Sequence, residues 1–179
     1  MVRAPLDSYA DLIEEILPAV VTIESRRSRF GRPSGSIGTG FFYRQDGHVL
    51  TNSHVLPRGS ESQVGVALSD GRRLNATIVG RDIWGDVAVL KVEGGPFPVV
   101  EIGDSQSLRL GEIVLAIGSP LNLRNSVSMG IVSGVDRTFP HPVDTANGSL
   151  NIPLRGMIQT DAAVNLVFDM QSEYGWKGY

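Results

Sequence analysis

The spacing of apolar residues changes once along the chain, and early. Tyr9, Leu12, Ile13, Ile16 and Leu17 recur at i, i+3, i+4, i+7 and i+8, which predicts one amphipathic helix near the N-terminus. Asp7 or Ser8 is placed to cap it and Pro18 to end it. Beyond that point the apolar residues fall into short β-branched runs or strict alternation. Residues 19–23, 37–44, 48–51, 64–68, 74–78 and 87–92 read as six strands, punctuated by the turn signals Gln45-Asp46-Gly47 and Ser69-Asp70-Gly71. That number of strands is enough to curl into a closed barrel. Gly94, Gly95, Pro96 and Pro98 mark a crossing to a second unit with three more strands, at 113–117, 127–135 and 157–164. Residues 138–153, with Pro140, Pro142 and Gly148, read as a long polar loop. Three strands cannot close on themselves, so the expectation is an all-β protein of two barrels, the second incomplete. Its parts are 1–93 (helix and first barrel), 94–165 (partial second barrel) and an atypical tail, 166–179.

Composition agrees with this class and narrows the function. The 179 residues include 21 glycines, against an average near 7%, as suits many chain reversals. Net charge is −3, so no nucleic-acid partner is expected. The arginines Arg26, Arg27, Arg29 and Arg32 lie among Ser, Gly and Pro and read as a solvated loop rather than an anion site. There are no cysteines, which excludes disulfides and thiolate chemistry. No apolar run approaches the ~20 residues of a membrane span, and residues 1–10 contain no apolar signal-peptide core, so a soluble chain is expected. Asn75-Ala76-Thr77 and Asn147-Gly148-Ser149 match the glycosylation sequon and read as chance matches. No cofactor and no metal are expected, because ligand residues do not cluster at metal spacing.

The chemistry is carried by short ordered motifs. Gly38-Thr39-Gly40-Phe41-Phe42 is followed by Asp46-Gly47-His48-Val49-Leu50-Thr51-Asn52-Ser53-His54-Val55. Then come Asp86-Val87-Ala88-Val89-Leu90, Gly118-Ser119-Pro120, Gly130-Ile131-Val132-Ser133 and Thr160-Asp161-Ala162-Ala163-Val164-Asn165. This series resembles the HtrA family of serine peptidases. The resemblance implies a chymotrypsin-like double β-barrel, with His54 as general base and Asp86 as the carboxylate that orients it. It also implies unfolded polypeptides as substrates, trimers formed through the protease domain, and an extracytoplasmic address for the family; the compartment of this chain is not legible. Imidazole suits the base role because it titrates near neutrality, and a buried carboxylate can fix its tautomer. His48 and His141 lack such a context and read as surface-loop residues, and Asp82 as a turn carboxylate.

The third catalytic member is the exception. In the family the T-D-A-A-x-N motif precedes G-N-S-G-G, whose serine is the nucleophile. Here it precedes Leu166-Val167-Phe168-Asp169-Met170-Gln171-Ser172, with Asp169 in the ungapped position of the serine. A carboxylate beside an imidazole favours its charged form, which is no longer a base. Val167, Met170 and Gln171, in place of glycines, resist the backbone conformation of an oxyanion hole. Ser172 lies out of register. The expected site is therefore His54 and Asp86 without a nucleophile, in a serine endopeptidase domain inactive as written. The alternative is a non-enzymatic subunit, joining active protomers in a mixed trimer or forming a homotrimer. For Ser172–Tyr179 three readings stand: a splice-type or frame-altered ending, a packing tail over the open barrel, or a disordered tail.

Overall fold

A computed structural model describes residues 9–29, 32–57, 62–118, 126–145 and 148–164. Its helix, α1 (Ala10–Ile16), leads into a 3-10 turn at Leu17–Ala19 that contains Pro18. The N-cap is Tyr9, which makes no side-chain capping bond; Asp7 and Ser8 lie outside the described residues. Six strands follow: β1 (Val20–Arg29), β2 (Arg32–Arg44), β3 (His48–Thr51), β4 (Ser62–Ala67), β5 (Arg73–Asp82) and β6 (Val87–Lys91).

These six form a closed antiparallel barrel in the order β1-β2-β3-β6-β5-β4. Closure leaves no free strand edge and gives the alternating residues a common interior. Val21 and Ile23 from β1, Phe42 from β2, Val49 from β3, Val66 from β4 and Leu90 from β6 fill it, all at most 1% exposed. Phe97, just beyond the barrel, stacks on Phe42 with ring centroids 4.4 Å apart. Gly47 (φ 96°) makes the β2–β3 turn, in a left-handed conformation that favours glycine. A side chain there would also collide with the Val92 carbonyl.

A second sheet holds β7 (Ile113–Gly118), β8 (Ser126–Thr145) and β9 (Gly148–Thr160), in that order. The all-β, two-unit reading therefore holds, with one closed barrel and one open sheet. The two units meet where β7 contacts β1 and Gly118 sits against Thr39. On β7 and β8 the cross-strand partners Ile113↔Ile131, Leu115↔Met129 and Ile117↔Val127 form an apolar ladder. Much of it is open to solvent: Ile113 is 58% and Met129 60% exposed.

Several expectations need correction. Residues 138–145 and 148–153 are strand rather than loop, because β8 and β9 run on as a two-stranded ribbon in which Pro140 faces Pro153 and Pro142 faces Asn151. In such a ribbon every second N–H points away from the partner, so a proline there removes no ladder bond. His141 is accordingly a strand residue, opposite Ile152. The arginine-rich stretch is also a ribbon rather than a loop: β1 and β2 stay paired from Val20↔Phe41 out to Arg29↔Arg32. His48 opens β3, and its Nδ1 lies 2.6 Å from Asp46 Oδ1. The expected strand at 157–164 ends at Thr160 and begins earlier, at Gly148.

Candidate functional site

Antiparallel pairing decides where His54 and Asp86 meet. β3 pairs with β6 so that Thr51 faces Ala88, which sets the exit of β3 beside the entrance of β6. Asp86 stands at the end of the turn that precedes β6. His54 stands in the 3-10 turn Ser53–Val55, just after β3. Two residues 32 positions apart in sequence are thereby adjacent, and Ser53 N–H extends the pairing by donating to the Asp86 carbonyl at 3.2 Å.

Asp86 adopts φ 54°, a left-handed conformation that Asp tolerates better than most residues. The turn before it is tied by Asp82, whose Oδ1 accepts from Trp84 N–H at 2.9 Å, an Asx-type turn. Asp82 is thus the turn carboxylate expected from the sequence.

The Asp86 side chain is 11% exposed and that of His54 is 66% exposed. One carboxylate oxygen, Oδ1, accepts the His54 backbone N–H at 2.9 Å. The other, Oδ2, lies 2.8 Å from His54 Nδ1. A carboxylate only accepts, so this contact places the ring proton on Nδ1 and leaves Nε2 with a free lone pair. Asn52 Nδ2 donates to the same Oδ2 at 3.2 Å and to the Asp86 carbonyl at 3.0 Å. An imidazole oriented in this way, with its outer nitrogen toward solvent, can take a proton from a group brought to it.

Sequence reasoning missed the shell around this pair. Asn52 and Ser53 lie inside the Thr51–Val55 motif, but nothing in their sequence marks a role for either. Arg81 carried no signal at all, because its acceptors are the Ser53 hydroxyl and main-chain carbonyls 24 to 28 residues away. The 3-10 turn has a second anchor: the Val55 carbonyl accepts from Ser25 Oγ at 3.1 Å and Ser36 Oγ at 2.6 Å.

In the second unit the Thr160–Ala163 motif packs across β8. Asp161 Oδ1 accepts from Ile131 N–H at 2.7 Å, and Ser128 Oγ donates to the Ala163 carbonyl at 2.6 Å. Gly130 is needed there, since a Cβ would strike Ala162. Asp169 and Ser172 lie outside the described residues. No group of three or more metal-binding side chains occurs among the described residues. No helix among them is long and apolar enough to cross a membrane.

The closed barrel, the open sheet and the His–Asp pair at the barrel rim define a trypsin-like peptidase domain, and residues 38–167 match the family described as trypsin-like peptidase domain. A Halomonas elongata protein named "Probable periplasmic serine endoprotease DegP-like" is 36% identical over 89% of this chain and 40% of its own length. A Pseudomonas putida protein of the same name is 48% identical over 75% of this chain and 26% of its own. A third so named, from Ectopseudomonas mendocina, is 36% identical over 92% of this chain and 40% of its own. The chain belongs to the HtrA family of trypsin-like serine peptidases. It spans less than half the length of these relatives.

Proposed function

We propose that His54 and Asp86 are the general base and orienting carboxylate of this serine-peptidase domain, and that the chain as it stands does not cleave peptides. The observation that carries the first half is the pair of hydrogen bonds that Asp86 accepts from His54, one from Nδ1–H and one from the backbone N–H. In the reaction such a pair serves, a serine hydroxyl passes its proton to Nε2 as its oxygen bonds to the peptide carbonyl carbon. Asp86 stabilises the resulting imidazolium, which then protonates the leaving amine as the C–N bond breaks. Water hydrolyses the acyl ester by the same route.

The second half rests on sequence. After Thr160–Asn165, the residue in the serine's ungapped position is Asp169. Loss of such a nucleophile costs on the order of 10⁶ in rate. The division into 1–93, 94–165 and 166–179 follows the same logic: base and carboxylate in the first part, the approach to the nucleophile in the second. Unfolded polypeptide is the substrate class proposed for the intact site. The relatives' names carry a periplasmic address, and an extracytoplasmic one is proposed here.

A second reading, a non-enzymatic subunit that assembles as a homotrimer or with active protomers, is favoured by the exposed ladder of Ile113, Met129 and Ile131. Fluorophosphonate labelling of the purified chain, read by intact mass beside size-exclusion chromatography, separates the readings. No label on a monomer supports an inert peptidase domain. No label on a trimer-sized species supports the subunit reading. Stoichiometric label shows an activated serine and overturns the claim of inactivity.

A further inference from the structure

The turn that carries His54 closes with Leu56 N–H donating to the Ser53 carbonyl at 3.1 Å; the carbonyls of Leu56 and Pro57 lie past this last bond, the usual state of a helix C-terminus. One side chain from another strand meets them. Arg81, on β5 opposite Ala88 of β6, donates from Nε to Ser53 Oγ at 2.8 Å and from Nη1 to the Pro57 carbonyl at 3.1 Å. Its Nη2 donates to the Leu56 carbonyl at 3.0 Å and to the Ser53 carbonyl. These acceptors bracket His54: Ser53 immediately before it, Leu56 and Pro57 just after. A planar guanidinium with donors in a fixed fork can hold both ends of the turn at once, and its charge suits a helix C-terminus.

Arg81 has a second connection. The strand that bears it runs on through Asp82, paired with Val87, into the turn that ends at Asp86. One guanidinium thus fastens the hairpin that presents the carboxylate to the turn that presents the imidazole. The His54 ring is largely in solvent, so its alignment depends on its backbone and on Asp86. Ser53 is 3% exposed, which leaves little water to replace a lost donor.

We propose that Arg81 is a positioning residue: by fixing the Ser53–Pro57 backbone it keeps His54 Nδ1 on Asp86 and so keeps the lone pair on the outward Nε2. This rests on reading His54 and Asp86 as a base–carboxylate pair. It predicts an effect on the ring's tautomer, which a residue serving stability alone would not change.

The test is long-range ¹H–¹⁵N correlation spectroscopy of the whole chain with its imidazoles neutral, which reads which ring nitrogen bears the proton; loss of its signals in His54→Ala assigns His54. In the parent, His54 is expected as the Nδ1–H tautomer, and an Nε2–H ring there would defeat the base–carboxylate reading itself. In Arg81→Met, which keeps the apolar stem, the His54 nitrogen shifts move toward those of an unrestrained imidazole while His141 stays unchanged. Arg81→Lys, with donors but no fork, falls between. A folded Arg81→Met whose His54 keeps the parent tautomer overturns the proposal and leaves the base–carboxylate reading intact. Should Arg81→Met not fold, Ser53→Ala removes one acceptor only. A smaller shift in the same direction then supports the proposal, and no shift overturns it.

Discussion

Asp86 holds His54 at two points, one oxygen on the ring nitrogen at 2.8 Å and the other on the backbone N–H at 2.9 Å. A single hydrogen bond would leave the imidazole free to swing about it. The pair of bonds ties ring and main chain to one carboxylate, so the ring's direction follows from where the turn lies.

Asp86→Asn tests that arrangement. Asn tolerates the left-handed backbone and matches the shape, but it has one acceptor oxygen for three donors, the His54 backbone N–H, its Nδ1–H and Asn52 Nδ2. The expected result is a mixed His54 tautomer and a loss of about 1–3 kcal/mol in stability, read by ¹⁵N shifts and urea unfolding. Parent-like shifts and parent-like stability together would rule the arrangement out.

Gly38→Ala should disturb the same site from beneath. A Cβ there would lie 2.5 Å from Val55 Cγ2 and 2.6 Å from Cγ1, and Val55 is buried beside His54 in the 3-10 turn. Overpacking of this kind costs about 1–3 kcal/mol. The expected signature is lower thermal stability together with amide shifts concentrated at residues 53–56. Shifts confined to β2 would show that Val55 yields without moving the turn.

Phe42→Ala removes the largest fully buried side chain of the barrel and its stacked partner contact with Phe97. A loss of about 3–5 kcal/mol is expected, measured by chemical denaturation. A loss below about 1 kcal/mol would mean that the interior is not close-packed around this ring.

Acid sensitivity should pass in part through Asp46. The hydrogen bond from His48, aided by Arg44, holds its carboxyl below the ordinary value of 3.8. A depressed folded-state pKa contributes stability that is present above the unfolded value and is lost as pH falls through the folded one. Asp46→Asn should therefore be less stable than the parent above pH 3.8, with the difference vanishing in stronger acid. Because the group is exposed the difference is small, and melting curves across pH 2 to 7, a range of about five units around that value, would resolve it. A difference that is constant with pH would locate the effect elsewhere.

The apolar runs at 37–44, 48–51 and 87–92 sit at or within observed strands because alternation and β-branching are local properties, visible in a window of a few residues. The loop reading of residues 138–145 and 148–153 failed because proline and glycine locally signal a loop, whereas pairing of these two stretches with each other makes them a ribbon. The arginine-rich end of β1 and β2 failed in the same way. Motif order singled out His54 and Asp86, and the structure brings the two together.

By itself the sequence determined the period of most elements, the all-β class and the barrel-then-open-sheet order, and it singled out His54 and Asp86 as candidates. Only the tertiary structure decided that the barrel closes through β1 and β4, that Asp86 contacts His54 twice, and that Arg81 donates to the turn that carries His54. These are contacts across tens of residues, and several of their acceptors are backbone carbonyls that every residue carries. No pattern of side chains along the chain can mark which carbonyl a distant arginine will meet.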